Sequence, residues 1–212
     1  MKPRFSVARC CCGVSPSRCE TTDFTDDFTS LDAKWLNDIG NPVDWEAAGT
    51  LTLAADLNSG QSIVKHCVFI GDNNKFTLDC ELSVVPFATF AVFMGISATP
   101  MNIGSNFFGI GYVVRPVGRD QYHTVTPAAG TETLSGPGPS SSHAIRIIAE
   151  TTGTTNEYDF KFYVDTGGGF SLKRTRTETV DFGTEMQTAF IATAATSSTI
   201  AFDNLSFAME EI

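Results

Sequence analysis

Cysteine is the residue whose chemistry and placement say most in this sequence. Six occur, and Cys10, Cys11, Cys12 and Cys19 all fall within the first 22 residues. Consecutive cysteines on an extended chain point to alternate sides, so Cys10–Cys12 cannot easily surround one tetrahedral metal. Disulfides, within this head or to another chain, account for the density better and belong to an oxidising setting. The other two, Cys67 and Cys80, flank Gly71-Asp72-Asn73-Asn74. A two-residue turn at Asn73-Asn74 puts them directly opposite, with Cα atoms about 4.5–5.5 Å apart, within disulfide range. Two reduced, packed thiols fit the same sequence, and one residue of register slip would send the pair to opposite faces.

The carboxylates and histidines offer less. Asp79 and Glu81 share a strand face, but retaining glycoside hydrolysis needs two carboxyls about 5–5.5 Å apart across the scissile bond. Two solvated acids on an outer strand face is the plainer reading. His66, His123 and His143 are scattered, without a Cys, Asp or His at metal spacing, and read as surface or hydrogen-bonded residues. G-x-S-x-G, H-E-x-x-H and a phosphate-cradling loop are all missing. Gly167-Gly168-Gly169 follows Asp165 and precedes a strand, so it reads as a hairpin turn.

The elements that must carry these residues are strands. Short runs of alternating hydrophobicity, separated by Gly, Pro, Asn and Ser, predict strands near 24–28, 50–54, 62–69, 76–85, 89–97, 107–115, 120–125, 143–150, 157–164, 170–176, 186–194 and 199–207. Twelve strands at this spacing indicate an antiparallel sandwich or barrel. Phe90, Val92, Met94 and Ile96 line one face of their strand, with Thr89, Ala91, Phe93 and Gly95 opposite. Tyr158, Phe160, Phe162 and Val164 line another, with Asp159, Lys161 and Tyr163 outward. A turn at Leu31–Leu36 is the one helix candidate of note. Glu185–Thr196 has a helical alanine content but also fits period two, and is read as strand. Residues 130–142 read as a long polar loop.

Length and charge narrow the classes further. With 212 residues, 42% of them apolar, the chain can bury a core without metal or disulfides. Net charge is −10, which argues against nucleic-acid binding. The charge is uneven: residues 1–19 hold Lys2, Arg4, Arg9 and Arg18 and no acid, so the remainder carries 10 basic against 24 acidic residues. No run approaches the roughly 20 apolar residues of a membrane helix. Arg9 breaks the first apolar stretch after four residues, so no ordinary secretory signal is recognisable. The chain divides into a Cys-rich basic arm, 1–22, and one β-domain, 23–212.

The opening Phe24-Thr-Asp-Asp-Phe28, Leu31-Asp32-Ala33-Lys34-Trp35, Trp45 and Gly49-Thr-Leu-Thr-Leu53 resembles the start of concanavalin A-like lectin/glucanase domains, laminin-G-like members especially. Tyr158–Asp165, the glycine turn and Ile200–Phe207 resemble their end. The resemblance spans about residues 23–208 and implies an all-β, two-sheet antiparallel jelly-roll sandwich with its first and last strands adjacent. The Glu-x-Asp-x-x-Glu signature of the glucanase members is missing here; Asp79-Cys80-Glu81 is the nearest run. Relatives often bind a structural Ca²⁺ through an Asp of the last strand, which implies Asp203, with Asp26 and Asp27 adding charge. Local bracing of a strand edge by Asp203 and Asn204 accounts for the same residues.

These readings lead to a non-catalytic lectin-like or structural module that binds glycan or builds an extracellular or particle surface. Phe93, Tyr122 and Tyr163, on faces read as non-core, are the candidate sugar-stacking aromatics. Self-association through the arm, docked on a neighbour's sandwich, follows from its charge and cysteines. An architectural virion, tail or filament protein without small ligand, and a glycoside hydrolase with an atypical carboxylate pair, are the alternatives.

Overall fold

A computed structural model describes residues 23–29, 35–37, 49, 51–54, 62–69, 75–84, 90–102, 104–114, 121–134, 143–194 and 199–212. Their regular structure is all strand. In chain order these are β1 (Phe24–Asp26), β2 (Leu36–Asn37), β3 (Leu51–Ala54), β4 (Ser62–Phe69), β5 (Lys75–Val84), β6 (Phe90–Ala98) and β7 (Phe107–Val114). Then come β8 (Gln121–Thr126), β9 (Gly130–Thr133), β10 (His143–Thr151), β11 (Glu157–Asp165), β12 (Ser171–Thr179), β13 (Glu185–Ala194) and β14 (Thr199–Glu210). Among the described residues no helix is long and apolar enough to cross a membrane.

The strands form two antiparallel sheets of seven. The first runs β1-β14-β5-β10-β11-β12, with β3 also on β14; the second runs β2-β4-β13-β6-β7-β8-β9. Phe24 pairs with Phe207 and Asp26 with Leu205, so the first and last strands are neighbours as the resemblance implied. Period-two alternation decides what faces what. On β11, Phe160, Phe162 and Val164 enter the core; on β6, Val92, Met94 and Ile96 do so from the other sheet. Phe108 of β7 stacks on Phe160 of β11 at 3.9 Å between ring centroids, and Phe190 of β13 lies 4.2 Å from Phe202 of β14. Each such buried aromatic contributes on the order of 1.5–3 kcal/mol by leaving water.

Glu185–Ala194 is strand, and all twelve expected strands are present. Two others were not expected. Residues 130–133 form β9, where a polar loop was read, because a three-residue turn at 127–129 folds it back on β8 with Val125 opposite Thr131. Leu36, read as the end of a helical turn, lies in β2 on β4; residues 31–34 lie outside the described residues. The glycine turn joins β11 to β12, with Asp165 Oδ1 accepting from the Gly167 and Gly169 amides at 2.7 and 2.9 Å. Both glycines have positive φ, 105° and 96°, which a side chain would strain.

An ion-pair latch closes one open edge of the sandwich. Arg174 and Arg176 of β12, in the first sheet, reach Glu132 of β9, in the second. Arg174 also donates to Thr124 Oγ1 and the Thr133 carbonyl. The Arg176 bond holds the Glu132 carboxyl below its ordinary pKa.

Candidate functional site

The Asp79 and Glu81 pair is the first place to look for hydrolytic chemistry. Both lie on the outer face of β5, because Leu78, Cys80 and Leu82 turn into the core. Across the ladder Asp79 is opposite Arg146 of β10. Arg146 Nε donates to Asp79 Oδ1 and Nη2 to Oδ2, each at 2.6 Å. The guanidinium also lies over the Phe170 ring, 3.9 Å from its centroid. A carboxylate gripped by both arms of an arginine has little nucleophilic or basic capacity left. Glu81 is exposed, and as an i,i+2 neighbour on a strand it stands roughly 6.6–6.8 Å along from Asp79. The outer face around them carries further pairs, Lys161 with Glu150 and Lys75 with Glu210.

The acids named for calcium each meet a nearby donor. Asp26 Oδ1 accepts from the Phe28 amide at 2.8 Å and Oδ2 from Trp35 Nε1 at 2.7 Å. Asp27 is exposed, and its Oδ1 takes both the amide and the hydroxyl of Thr29, which holds its carboxyl below the usual range. Asp203 Oδ1 accepts from the Asn204 amide at 2.7 Å. Asn204 has φ 48° and sits in the irregularity between Asp203 and Ser206 where β14 bulges off β5. The local bracing read from the sequence is therefore present. Among the described residues no cluster of three or more His, Cys, Asp or Glu is arranged to hold a metal.

The three aromatics do not converge. Tyr163 lies on the outer face of the first sheet, opposite Arg146. Phe93 lies on the outer face of the second sheet, as its alternation required, yet is only 9% exposed. Tyr122 corrects the expectation: it faces the core, its ring 5.6 Å from Tyr112 and 5.1 Å from His143. The reason is that β8 is buried on both faces from Tyr122 to Thr126, so its alternation could not mark a solvent side. Burial pushes the Tyr122 hydroxyl far above its ordinary pKa. The histidines are likewise buried rather than on the surface. His66 packs its ring 4.6 Å from Phe24 and 4.9 Å from Trp35, and His123 Nδ1 lies 3.4 Å from Thr133 Oγ1.

The Cys67–Cys80 bridge does not form. β4 and β5 are consecutive but lie in different sheets, so the two strands do not pair and Cys67 is not the cross-strand neighbour of Cys80. Cys80 is a buried free thiol whose S–H reaches the Asp203 carbonyl at 3.3 Å. Cys67, on β4 opposite Gln187, is disulfide-bonded. Cys10, Cys11, Cys12 and Cys19 lie outside the described residues.

Sequence reasoning missed one feature altogether, the outer face of the second sheet. Gly95 of β6 pairs with Gly109 of β7, and the Phe107 ring occupies the space a side chain on either would need. The Phe93 ring rests likewise on Gly111. The signal was there in Gly95, Gly109 and Gly111, since a glycine inside a strand marks close approach of another group.

No family model matches the sequence, and no curated protein sequence does. Solved structures do share its fold. A basic winged bean lectin with Tn-antigen matches over 87% of this chain and 96% of its own, at TM-score 0.55 and 12% identity. The CBM2 module of the evolved Dit of Lactobacillus casei BL23 phage J-1 covers 89% and 96%, at TM-score 0.59 and 9% identity. A putative beta-glucanase from Mycobacterium abscessus covers 87% and 98%, at TM-score 0.55 and 15% identity. Identities this low carry the fold and not the activity. With two seven-stranded antiparallel sheets, its first strand on its last, and these likenesses, the chain has the concanavalin A-like jelly-roll fold.

Proposed function

We propose that this protein is a non-catalytic structural module, a subunit of an extracellular or particle surface. The observation that carries the reading is Asp79 held by both arms of Arg146, which takes the nearest approach to a hydrolytic carboxylate pair out of action. Two further observations support it. Leu172 and Ile212 are the large apolar residues fully exposed among the described ones, and Tyr163 on the outer face of the first sheet is only partly exposed. On the outer face that holds Phe93, that ring is buried in a cluster with Phe107, Val125, Ala189 and Ile191. Glycan binding is the second reading, favoured by the lectin and the carbohydrate-binding module among proteins of this fold. Calcium at Asp203, with Asp26 and Asp27, is an accessory proposal; identical melting in excess Ca²⁺ and in chelator removes it.

The deciding experiment incubates the full chain with a polysaccharide panel and, separately, a glycan array. No hydrolysis and no array signal is the expected result. Hydrolysis that disappears in Glu81→Gln overturns the non-catalytic reading, and a saturable array signal puts the lectin reading first.

A further inference from the structure

The first sheet ends on a long strand with a bare edge. β12 pairs with β11 on one side, and among the described residues no strand pairs with it on the other. The other strands at the sheet ends are short: β1 has three residues, β2 two, β3 and β9 four each, against nine in β12. A long free edge offers a row of amides and carbonyls to another chain, and folded proteins blunt it with lysine, proline or a bulge. β12 is blunted only at its start. The register slips from Phe162 opposite Arg174 to Tyr163 opposite Leu172, which leaves Lys173 bulged out. Residues 174–179 run on without lysine, proline or bulge.

The second observation is the order of residues along that stretch, Thr175-Arg176-Thr177-Glu178-Thr179. Opposite charges stand one step either side of Thr177. The threonines lie opposite Lys161, Asp159 and Glu157 and face outward, while Arg176 and Glu178 lie opposite Phe160 and Tyr158 and face the other way. A second β12 laid antiparallel must set each residue against one of the same face, so the two-fold axis passes through a residue. An axis at Thr175 sets Arg174 against Arg176 twice. An axis at Arg176 or at Glu178 sets that charge against its own copy. The axis at Thr177 sets Arg176 against Glu178 twice, Thr175 against Thr179 twice, and Thr177 against itself. Opposite charges and threonine pairs stabilise a ladder, and like charges weaken it. Glu132 supplies one negative charge to Arg174 and Arg176 together, and Glu178 of the second copy supplies another.

We infer that β12 is a self-recognition edge: two copies of this chain join antiparallel over residues 175–179 about a two-fold axis at Thr177. Their first sheets then become one continuous sheet. Such a contact uses the same surface on both copies and closes at two. Val180 ends the ladder, because its amide already donates to the Asn156 carbonyl at 2.7 Å. Five residues a side make a small contact, below about 1,200 Å² and of the weak, reversible class. It gives the surface-subunit reading a partner and rests on that reading for its use. Hydrolysis in the polysaccharide panel overturns the reading and leaves the pairing standing, whereas the measurements below bear on the pairing alone.

The test is sedimentation of the full chain in reductant, up to about 1 mM, where contacts of this class populate. The expected result is a monomer–dimer equilibrium whose dissociation constant rises at least tenfold in Glu178→Arg. A strict monomer, or a dimer indifferent to Glu178→Arg, overturns the proposal. Register has its own readout. Oxidised Thr177→Cys should form a bond between two chains at position 177, where the Cα atoms stand about 4.5–5.5 Å apart. Thr175→Cys, about 13 Å along the ladder from its copy, should not. Equal crosslinking at the two positions, or none at 177, overturns the pairing. If Glu178→Arg fails to fold, the two cysteine variants decide.

Discussion

Trp35, wholly buried, gives its indole hydrogen to Asp26 Oδ2 at 2.7 Å, nine residues back along the chain. The ring packs between Phe28, His66 and Phe190. One carboxylate thus serves the indole with one oxygen and the Phe28 amide, at a φ of 51°, with the other. The opening motif is therefore a small machine for anchoring a tryptophan under the first strand.

Asp26→Ala leaves that indole N–H buried and unmatched. It should lower stability by about 1–3 kcal/mol in urea denaturation. Asp27→Ala, which loses only bonds to exposed Thr29, should leave the urea midpoint close to that of the wild type. Equal losses in the two variants would show that the indole bond is not what the motif protects.

Gly95 has no room for a methyl group. A Cβ there would stand 2.4 Å from the Phe107 ring and 2.6 Å from the Phe108 carbonyl oxygen. Gly95→Ala should cost about 1–3 kcal/mol through overpacking. Gly168→Ala meets nothing within 4 Å and should be neutral, as a thermal melt of both variants would read.

The latch on Glu132 predicts the acid limb of stability. The Arg176 bond depresses the folded-state pKa of this carboxyl, so the unfolded chain binds the proton more readily. Its contribution is present at neutral pH and is lost as pH falls from about 4.3, the ordinary glutamate value, through the depressed folded one. Glu132→Gln should flatten that part of the stability-against-pH profile and leave the Asp26 effect in place. High salt should weaken the wild-type latch in the same direction.

Burial raises the Cys80 thiol well above its ordinary pKa, and the thiolate is the reactive form. Pulse alkylation of the native protein at pH 8, read at the peptide containing Cys80, should show labelling only at the rate of unfolding. Rapid native labelling would place this sulfur in contact with solvent.

Legibility in the sequence followed burial geometry. β11 has one face in the core and the other partly open, so alternation marked its inward residues. β6 is buried on both faces, but Ala91 and Gly95 on its outer side kept the contrast with Val92, Met94 and Ile96. β8 is buried on both sides, which erased the contrast and misplaced Tyr122. β9 exposes Gly130, Thr131 and Thr133 at the sheet edge, so its residues carry the composition of a loop. The Cys67–Cys80 expectation failed for a topological reason. Symmetric spacing about a turn cannot distinguish a hairpin from a crossing between sheets. The candidate carboxylates were legible as residues, but the arginine that silences Asp79 comes from a strand 67 positions later, through a pairing that only the fold supplies.

The sealed thiol of Cys80 alters the stoichiometry of oxidation. Six cysteines look like three bridges, yet one of them sits in the core beside Leu78 and Leu82 with its hydrogen on a backbone carbonyl. Five are left, an odd number. A single chain oxidised as far as it can go ends with one sulfur unmatched. Two chains hold ten, and the count closes. Parity, set by one strand residue in the core, thus leaves these 212 residues with one sulfur over, to be taken up by a small thiol or by a second chain.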